Sequence, residues 1–211
     1  MPKNSSIKSR ILSVAEDEFR TQGYSQTTMD HLAELLGMSK KTLYEHFRSK
    51  EQLAEAMIKD ISVAIGKIHA EVMETDANTV EKIHLIGQKM QKCMQTVASV
   101  TLLGDLRRNA PELWLKIKEV KNKKILALWG NLLSEGMHKG YFRKELNTEV
   151  FITIYMASVE RLFDPEFMLS TELSFTQARS QLLDIFLNGI LTDKGRKAES
   201  KYHLIISMTH D

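Results

Sequence analysis

Four basic side chains between residues 40 and 50 are well placed to bind a polyanion: Lys40, Lys41, Arg48 and Lys50. A lysine ammonium pairs with phosphate oxygens and can also donate to O6 and N7 of guanine. The whole chain carries a formal net charge of only +2, so the basic patch is local. A solvated helix face has a similar composition, and charge alone therefore does not identify the partner.

The surrounding residues predict two short helices separated by a turn. Thr28 can cap the first helix, and Gly37 ends it by adopting a left-handed conformation. Ser39 can cap the second helix, which ends at Phe47. Two short helices joined in this way form a helix-turn-helix, here over residues 28–47.

The second of these helices has one inward and one outward face. Leu43 and Phe47 lie one turn apart and face inward, so Lys40, Lys41 and Tyr44 must point outward. The N-terminal part of such a helix is the part that enters the major groove of DNA. We therefore expect these three side chains to reach the DNA, with the two lysines selecting the sequence.

Lys50 lies at the start of the next predicted helix. A cation at a helix N-terminus opposes the helix dipole, so the position calls for a favourable partner elsewhere. The sequence argument assigns this partner as a DNA phosphate.

The residues around the motif resemble the tetracycline-repressor (TetR) family of regulators. The resemblance is carried by the runs I-L-x-x-A-x-x-x-F (11–19), G-Y-x-x-T-T-M (23–29), L-A-x-x-L-G-M-S (32–39) and T-L-Y-x-H-F-x-x-K-E-x-L (42–53). It implies a dimeric all-α repressor with an N-terminal DNA-binding domain and a C-terminal effector domain. Carried over by position, it implies base or phosphate contacts for Ser39, Lys40, Lys41 and Tyr44, and contacts to the DNA backbone for Thr28, Thr42, His46 and Lys50.

Three positions of the motif keep an alternative interpretation. Tyr44 could be a half-buried packing residue, and His46 a hydrogen-bonded core histidine. Glu45 is an acid where many members of the resembled family carry a neutral or basic residue. It could accept from a cytosine amino group, but orientation towards solvent is favoured.

The remaining sequence favours an all-α fold of about nine helices. Prolines are few, and residues with high helix propensity dominate the long uninterrupted stretches. We expect a DNA-binding domain over 1–65, an effector-binding and dimerisation domain over 66–193, and a tail over 194–211.

Two predicted helices, 150–163 and 175–191, are apolar on more than one face. Each therefore needs cover on two sides. The core of a single chain could supply both covers, but a second copy of the chain is favoured. Two such helices from each subunit would form a four-helix interface, which the TetR resemblance also implies.

An effector pocket in the C-terminal part would be lined by apolar side chains. Several apolar residues could line a cavity between helices, although methionine and tryptophan at helical spacing are more often ordinary core. Cys93 could also be a redox sensor, but an inert buried thiol is favoured because it is the only cysteine. The candidate ligand-binding residues are Met90, Cys93, Met94, Leu103, Trp114, Ile117 and Trp129.

Other classes of function find no support in the sequence. The seven histidines show no metal-binding spacing, and there is neither a phosphate-binding glycine loop nor a nucleophile elbow. We therefore expect no catalytic residue, no metal and no cofactor. The N-terminus lacks the apolar core of a signal peptide, and no apolar run is long enough to span a membrane, so a cytoplasmic location is expected.

These patterns favour a transcriptional regulator that binds double-stranded operator DNA as a homodimer. We expect a repressor that recognises a palindromic operator and is released by an unknown small apolar effector. The alternative is a DNA-binding regulator without a small-molecule effector, controlled by a protein partner.

Overall fold

The computed structural model describes residues 7–97, 99–162 and 164–208, except the side chains of residues 91–97, 100, 165, 175, 176 and 203–208. Apart from turns and one isolated β-bridge between Phe142 and Leu191, these residues are helical. The all-α prediction is therefore confirmed. The helices are α1 (Ile7–Gln22), α2 (Met29–Leu36), α3 (Lys40–His46), α4 (Lys50–Met73), α5 (Thr79–Val97), α6 (Val100–Asn109), α7 (Pro111–His138), α8 (Thr148–Leu162), α9 (Pro165–Ser170), α10 (Phe175–Ile190) and α11 (Asp193–Met208).

The first of two compact units comprises the chain up to Ala64 together with Met94–Lys121. Its core is apolar side chains that recur at helical spacing in α1 to α4, and Ile11, Leu32 and Leu43 are fully buried. Leu102 and Leu106 of α6 and Leu113 of α7 complete this core. Residues 94–121 therefore pack with the N-terminal helices, whereas the sequence argument assigned them to a domain over 66–193.

The second unit comprises Ile65–Cys93 together with the chain from Asn122 onward. Its core joins apolar residues of α5, α7, α8 and α10 with Phe142, which is fully buried. Trp129, Phe151, Tyr155 and Phe186 form an aromatic cluster within it, with ring centroids 4.8–6.2 Å apart. Such tilted and stacked pairs add to the stabilisation that burial alone provides.

Eleven helices occur in the described residues, two more than expected. α9 is one of them, and it begins because the Asp164 carboxylate accepts hydrogen bonds from the backbone N–H groups of Glu166 and Phe167. In the sequence, Asp164 and Pro165 predict only the end of the preceding helix. A proline in the first helical turn is also a common helix start.

The second additional helix, α11, covers most of the expected tail. The Thr192 hydroxyl accepts from the Gly195 N–H at 3.2 Å and donates to the Gly140 carbonyl at 2.7 Å, which starts the helix next to the end of α7. Glu199 then lies 2.8 Å from Nε2 of His84 on α5, and the Tyr202 hydroxyl accepts from Gln88 at 2.9 Å. Polar contacts to α5 therefore make this segment part of the second unit, which its mixed composition did not reveal.

Two glycines of α7 provide a matched test of the packing in the second unit. A Cβ atom on Gly136 would lie 2.1 Å from Cδ2 of Phe142, whereas a Cβ on Gly130 would meet no atom within 4 Å. We expect Gly136→Ala to lower the free energy of unfolding by about 1–3 kcal/mol through overpacking. Gly130→Ala should raise it by up to about 1 kcal/mol through helix propensity. Urea denaturation of both variants checks this, and equal effects would contradict the described packing.

Candidate nucleic-acid interface

The turn between α2 and α3 is set by three local interactions. The Thr28 hydroxyl accepts from the His31 N–H at 3.2 Å and caps α2. Gly37 ends α2 in the left-handed region, with φ of +62°, where a side chain would be strained. The Ser39 hydroxyl accepts from the Thr42 N–H at 3.0 Å and caps α3. The predicted caps and the predicted glycine stop are confirmed.

α3 has the two faces that its sequence predicts. Leu43 is fully buried and Phe47 is 5% exposed, so both anchor the helix to the core of the first unit. Lys40, Lys41 and Tyr44 are exposed, Tyr44 to 44%. The structure thereby presents these three side chains to solvent, and the role of Tyr44 in DNA contact stays a prediction. Glu45, on the same helix, is exposed, and His46 is half-buried.

The two lysines at the start of α3 differ in their partners. Lys40 forms an ion pair with Asp30 of α2, with 2.5 Å between Nζ and Oδ2. This hydrogen bond raises the pKa of Lys40 above its usual value, while slight desolvation opposes the shift. Lys41 forms no ion pair with any residue that the structure describes. Of the two lysines, Lys41 is therefore the one without a counter-ion among the described residues.

The hydroxyl groups predicted to hold the DNA backbone also hold the motif. Ser39 Oγ and Thr42 Oγ1 are 2.8 Å apart, and Thr28 is engaged as a helix cap. A hydroxyl can accept two hydrogen bonds and donate one. These residues therefore hold the two helices of the motif, and the exposed Thr28 and Ser39 and the half-buried Thr42 stay accessible to a phosphate.

Lys50 has partners within the protein. Its Nζ donates to the carbonyl oxygens of Tyr24 at 2.8 Å and Ser25 at 3.3 Å, and it lies 4.3 Å from the centre of the Tyr24 ring. Burial lowers the pKa of Lys50, against the opposing charges of Glu51 and Asp105. These carbonyls account for a cation at a helix start, where the sequence argument invoked only a phosphate. A phosphate contact for Lys50 stays a prediction.

Asp105 of α6 is a structural residue that the sequence argument missed. Its carboxylate accepts from the backbone N–H of Ser25 at 2.5 Å, the Ser25 hydroxyl at 2.7 Å and the Asn109 amide at 2.5 Å. Burial opposes ionisation, but these hydrogen bonds prevail and lower the pKa of Asp105 below its usual value. The loop before α2 is thereby tied to α6 within the first unit. No sequence signal marks a contact between residues 80 positions apart.

The candidate effector residues are distributed over both units. Leu103, Trp114 and Ile117 belong to the first unit, where Leu103 is buried and the other two pack against its core. Met90 and Trp129 belong to the second unit, where Trp129 is 2% exposed and Met90 is half-buried. The side chains of Cys93 and Met94 lie outside the described part of the chain. Each group is therefore a set of core residues of its own unit, and the role of these residues in ligand binding stays a prediction.

The described residues contain no group of three or more histidine, cysteine, aspartate or glutamate side chains that could hold a metal ion. None of their helices combines the length and apolar character needed to cross a membrane.

Family comparisons agree with the geometry of the N-terminal motif. Residues 11–57 match the family model described as "Bacterial regulatory proteins, tetR family". Residues 51–189, more than half of the chain, match the one described as "YsiA-like protein, C-terminal region". The chain belongs to the TetR family of bacterial regulatory proteins.

Relatives of this TetR-family chain are similar over nearly its whole length. The transcriptional regulator YvaF of Bacillus subtilis (strain 168) is 28% identical over 187 residues, which cover 88% of this chain and 96% of YvaF. The transcriptional repressor KstR2 of Mycolicibacterium smegmatis is 27% identical, over 91% of this chain and 94% of KstR2. Both are described as HTH-type, that is, helix-turn-helix proteins. The chain is thus grouped with DNA-binding regulators.

Solved structures support the same fold. The fatty acid degradation regulator FadR from Bacillus halodurans is 26% identical, with a TM-score of 0.68 over 89% of this chain and 98% of FadR. A TetR-family regulator from Marinobacter aquaeolei VT8 is 17% identical, with a TM-score of 0.73 over 93% of this chain and 97% of that one. At such identity the second likeness concerns the fold alone. The N-terminal helix-turn-helix and the helical C-terminal part are those of the TetR fold.

The hydrogen bonds of Asp105 lead to a pH-dependent prediction. Because folding lowers its pKa, the ionised carboxylate stabilises the protein fully above the ordinary aspartate pKa, and this stabilisation is lost as pH falls through the folded value. We expect Asp105→Asn to lower the free energy of unfolding by about 1.5–3 kcal/mol at neutral pH. The deficit should begin to shrink below about pH 4, where the carboxyl becomes protonated in the unfolded chain, and should be smallest once pH falls below the lowered pKa of the folded protein.

Urea unfolding across this pH range measures the effect. The exposed acid Glu172 supplies the control, since Glu172→Gln should change stability by no more than about 0.5 kcal/mol. If the loss of stability in Asp105→Asn stays constant with pH, the negative charge of Asp105 does not contribute to stability through its contact with Ser25.

Proposed function

We propose that this protein is a ligand-responsive repressor that acts in the cytoplasm, binds a palindromic operator as a homodimer, and is released by a small apolar effector. The exposed face of α3 carries the proposal. Buried Leu43 and Phe47 fix the helix, so that Lys41 and Tyr44 face outward from a motif matched to the family. Such an arrangement suits insertion of a helix into the major groove.

The contacts to DNA divide into two kinds. In our proposal, Lys41 and Tyr44 approach the bases, while Thr28, Thr42 and His46 contact phosphates. Phosphate contacts fix the register of a protein on the duplex, whereas base contacts carry sequence information. Ser39 joins the first group by position, and Lys50 the second, although its ammonium is shared with two carbonyls.

Lys40 has a more specific role in this proposal. Its ion pair with Asp30 joins α2 to α3 at the exposed surface. Since Asp30 already neutralises its charge, Lys40 contributes less than Lys41 to the attraction of a polyanion. Its main effect is then to hold the two helices of the motif in register.

A homodimer would cover an exposed apolar surface in the second unit. Val150 and Ile154 of α8 are each 53% exposed, and Ile185 of α10 is 67% exposed. These helices are the two that the sequence marked as needing cover on a second side, and they contact each other. TetR-family regulators bind DNA as dimers. We therefore assign this surface to the partner subunit, in a four-helix interface.

The effector part of the proposal is supported by the interior of the second unit and by the relatives. Trp129 lies in an aromatic cluster, and Met90 packs against the same core. The FadR structure is described as that of a fatty acid degradation regulator, and KstR2 of Mycobacterium tuberculosis as a ketosteroid transcriptional regulator. Both names concern apolar compounds, which suits an apolar effector here. If a protein partner controls this regulator instead, no small molecule should change its affinity for DNA.

The difference between Lys41 and Lys40 tests the proposed interface on any DNA. We expect the logarithm of the affinity for a random-sequence duplex to fall linearly with the logarithm of salt concentration. Lys41→Ala should lower the magnitude of this slope by about one, because one phosphate-neutralising charge is lost. Lys40→Ala should lower it less, because Asp30 already balances that charge.

Fluorescence anisotropy at several salt concentrations gives the slopes. Lys144→Ala, which removes an exposed lysine from the second unit, is the matched control and should leave the slope unchanged. Equal slopes for wild type and Lys41→Ala would remove Lys41 from the interface, and an effect of Lys144→Ala would place DNA on another surface.

The assigned dimer interface is tested by a charge at its centre. Ile185→Glu would bury a carboxylate without a partner if α10 packs against a second copy, which is strongly unfavourable. We expect this variant to be monomeric at micromolar concentration and to lose affinity for operator DNA. Leu126→Glu changes a leucine of α7 that is 55% exposed and should leave the dimer intact. Light scattering gives the oligomeric state of both variants, and a dimeric Ile185→Glu variant would refute the assigned interface.

A further inference from the structure

Arg179 of α10 brings a positive charge to the interior side of the second unit without a carboxylate partner. Its Nη2 donates to the backbone carbonyl of Gly87 on α5 at 2.9 Å. The guanidinium lies so close to α5 that a Cβ atom on Gly87 would be 3.1 Å from Nη2. No ion pair of Arg179 is formed with any residue that the structure describes. A guanidinium has five N–H donors, so one carbonyl leaves most of them available.

Tyr155 of α8 supplies a second donor beside this charge. The hydroxyl belongs to a residue that is only 8% exposed, and its ring packs edge-on against Trp129. Burial raises the pKa of Tyr155, while the nearby charge of Arg179 acts in the opposite direction. The hydroxyl keeps its proton at neutral pH, and within the described residues it donates that proton to no acceptor.

The surroundings of these donors are aromatic. The Tyr155 ring packs edge-on against Trp129 and Phe186, with centroids 4.8 and 5.2 Å apart. Phe186 and Arg179 lie seven residues apart on α10 and thus on one face of the helix. This face of α10 therefore carries the cation Arg179 and the apolar ring of Phe186, and Tyr155 of α8 lies beside it.

Donors in excess of acceptors favour an anion. A partly buried charge that lacks a counter-ion is costly, and an anion that binds there recovers the lost attraction. One guanidinium carries a single charge and its planar N–H pairs match the geometry of a carboxylate. The aromatic side chains would exclude water from the apolar part of the same molecule.

We propose that Arg179 and Tyr155 bind the carboxylate of an apolar acid, whose apolar part packs against Trp129 and Phe186. This inference rests on the proposed effector function and names the chemical class of the effector. It also assigns Arg179, which the sequence argument did not consider, as the residue that distinguishes an acid from a neutral compound of the same shape.

The test compares acids with their amides. Octanoate, dodecanoate and phenylbutanoate are titrated into the full-length protein by calorimetry, each beside its uncharged amide. We expect at least one acid to bind wild type at least about tenfold more tightly than its amide, as the loss of a charge-assisted hydrogen bond implies. Arg179→Met should remove this preference, with the amide bound equally by variant and wild type. Tyr155→Phe should lower the affinity for the acid by a smaller factor than Arg179→Met does.

Two controls keep loss of folding separate from loss of the site. Arg143→Met removes an exposed arginine of the same unit and should leave acid binding unchanged. Arg179→Met removes a charge without a counter-ion, so its urea midpoint should equal or exceed that of wild type. Binding of no acid, equal binding of acids and amides by wild type, or unchanged acid binding by Arg179→Met would each overturn the proposal.

DNA binding is measured separately, so that the two proposals can fail independently. An acid that binds through Arg179 should lower the DNA affinity of wild type but not that of Arg179→Met. If the acid binds through Arg179 and DNA affinity stays constant, the carboxylate site stands and the release of DNA by this effector fails. If the protein binds DNA with the expected salt dependence but no acid binds, the carboxylate site fails and the DNA-binding function stands.

Discussion

Burial of Leu43 and Phe47 in the core of the first unit is the constraint on which the rest of the interface depends. α3 has only seven residues, too few to be stable as an isolated helix in water. Its orientation therefore comes from packing, and two apolar side chains one turn apart determine which side faces the core. Everything that α3 presents to solvent, and in our proposal to DNA, follows from that choice, Lys41 and Tyr44 above all.

Local patterns made this part of the molecule predictable. The caps Thr28 and Ser39, the stop at Gly37 and the inward spacing of Leu43 and Phe47 are all interactions within a few residues, so the sequence contains them directly. The partners of the charged side chains were less accessible. Lys50 reaches carbonyls 25 and 26 residues away, and Asp105 binds a loop 80 residues away. Such contacts depend on how helices pack, which one sequence does not specify.

The same distinction explains the differences in domain organisation. Residues 94–121 pack with the first unit because Leu102, Leu106 and Leu113 enter its core. The spacing of these leucines predicts that they are buried, but it does not predict in which core. The mixed charged and apolar residues of α11 predict only a tail. Its attachment through Glu199 and Tyr202 relies on polar partners on α5, which helical periodicity does not reveal.

The distribution of charge partners links the two proposed sites. Several ion pairs hold helices together, as Lys40 does with Asp30 and Lys82 with Glu135. Lys41 and Arg179 are among the cations that have no carboxylate partner within the described residues. One faces solvent on α3, where a polyanion would approach, and the other lies beside aromatic rings in the second unit. In each proposal, the ligand supplies the counter-ion that the protein does not.

Selection of bound duplexes from a random DNA pool tests the central claim most directly. The account predicts a palindromic consensus, because two α3 helices related by a two-fold axis must read two equivalent half-sites. The half-site centres should be about 34–36 Å apart, or a multiple of that distance. Selection with Lys41→Ala should relax the base preference at one symmetric position in both half-sites while leaving the spacing unchanged. A consensus without two-fold symmetry, or one that Lys41→Ala leaves unchanged at every position, would contradict recognition by a dimer through α3.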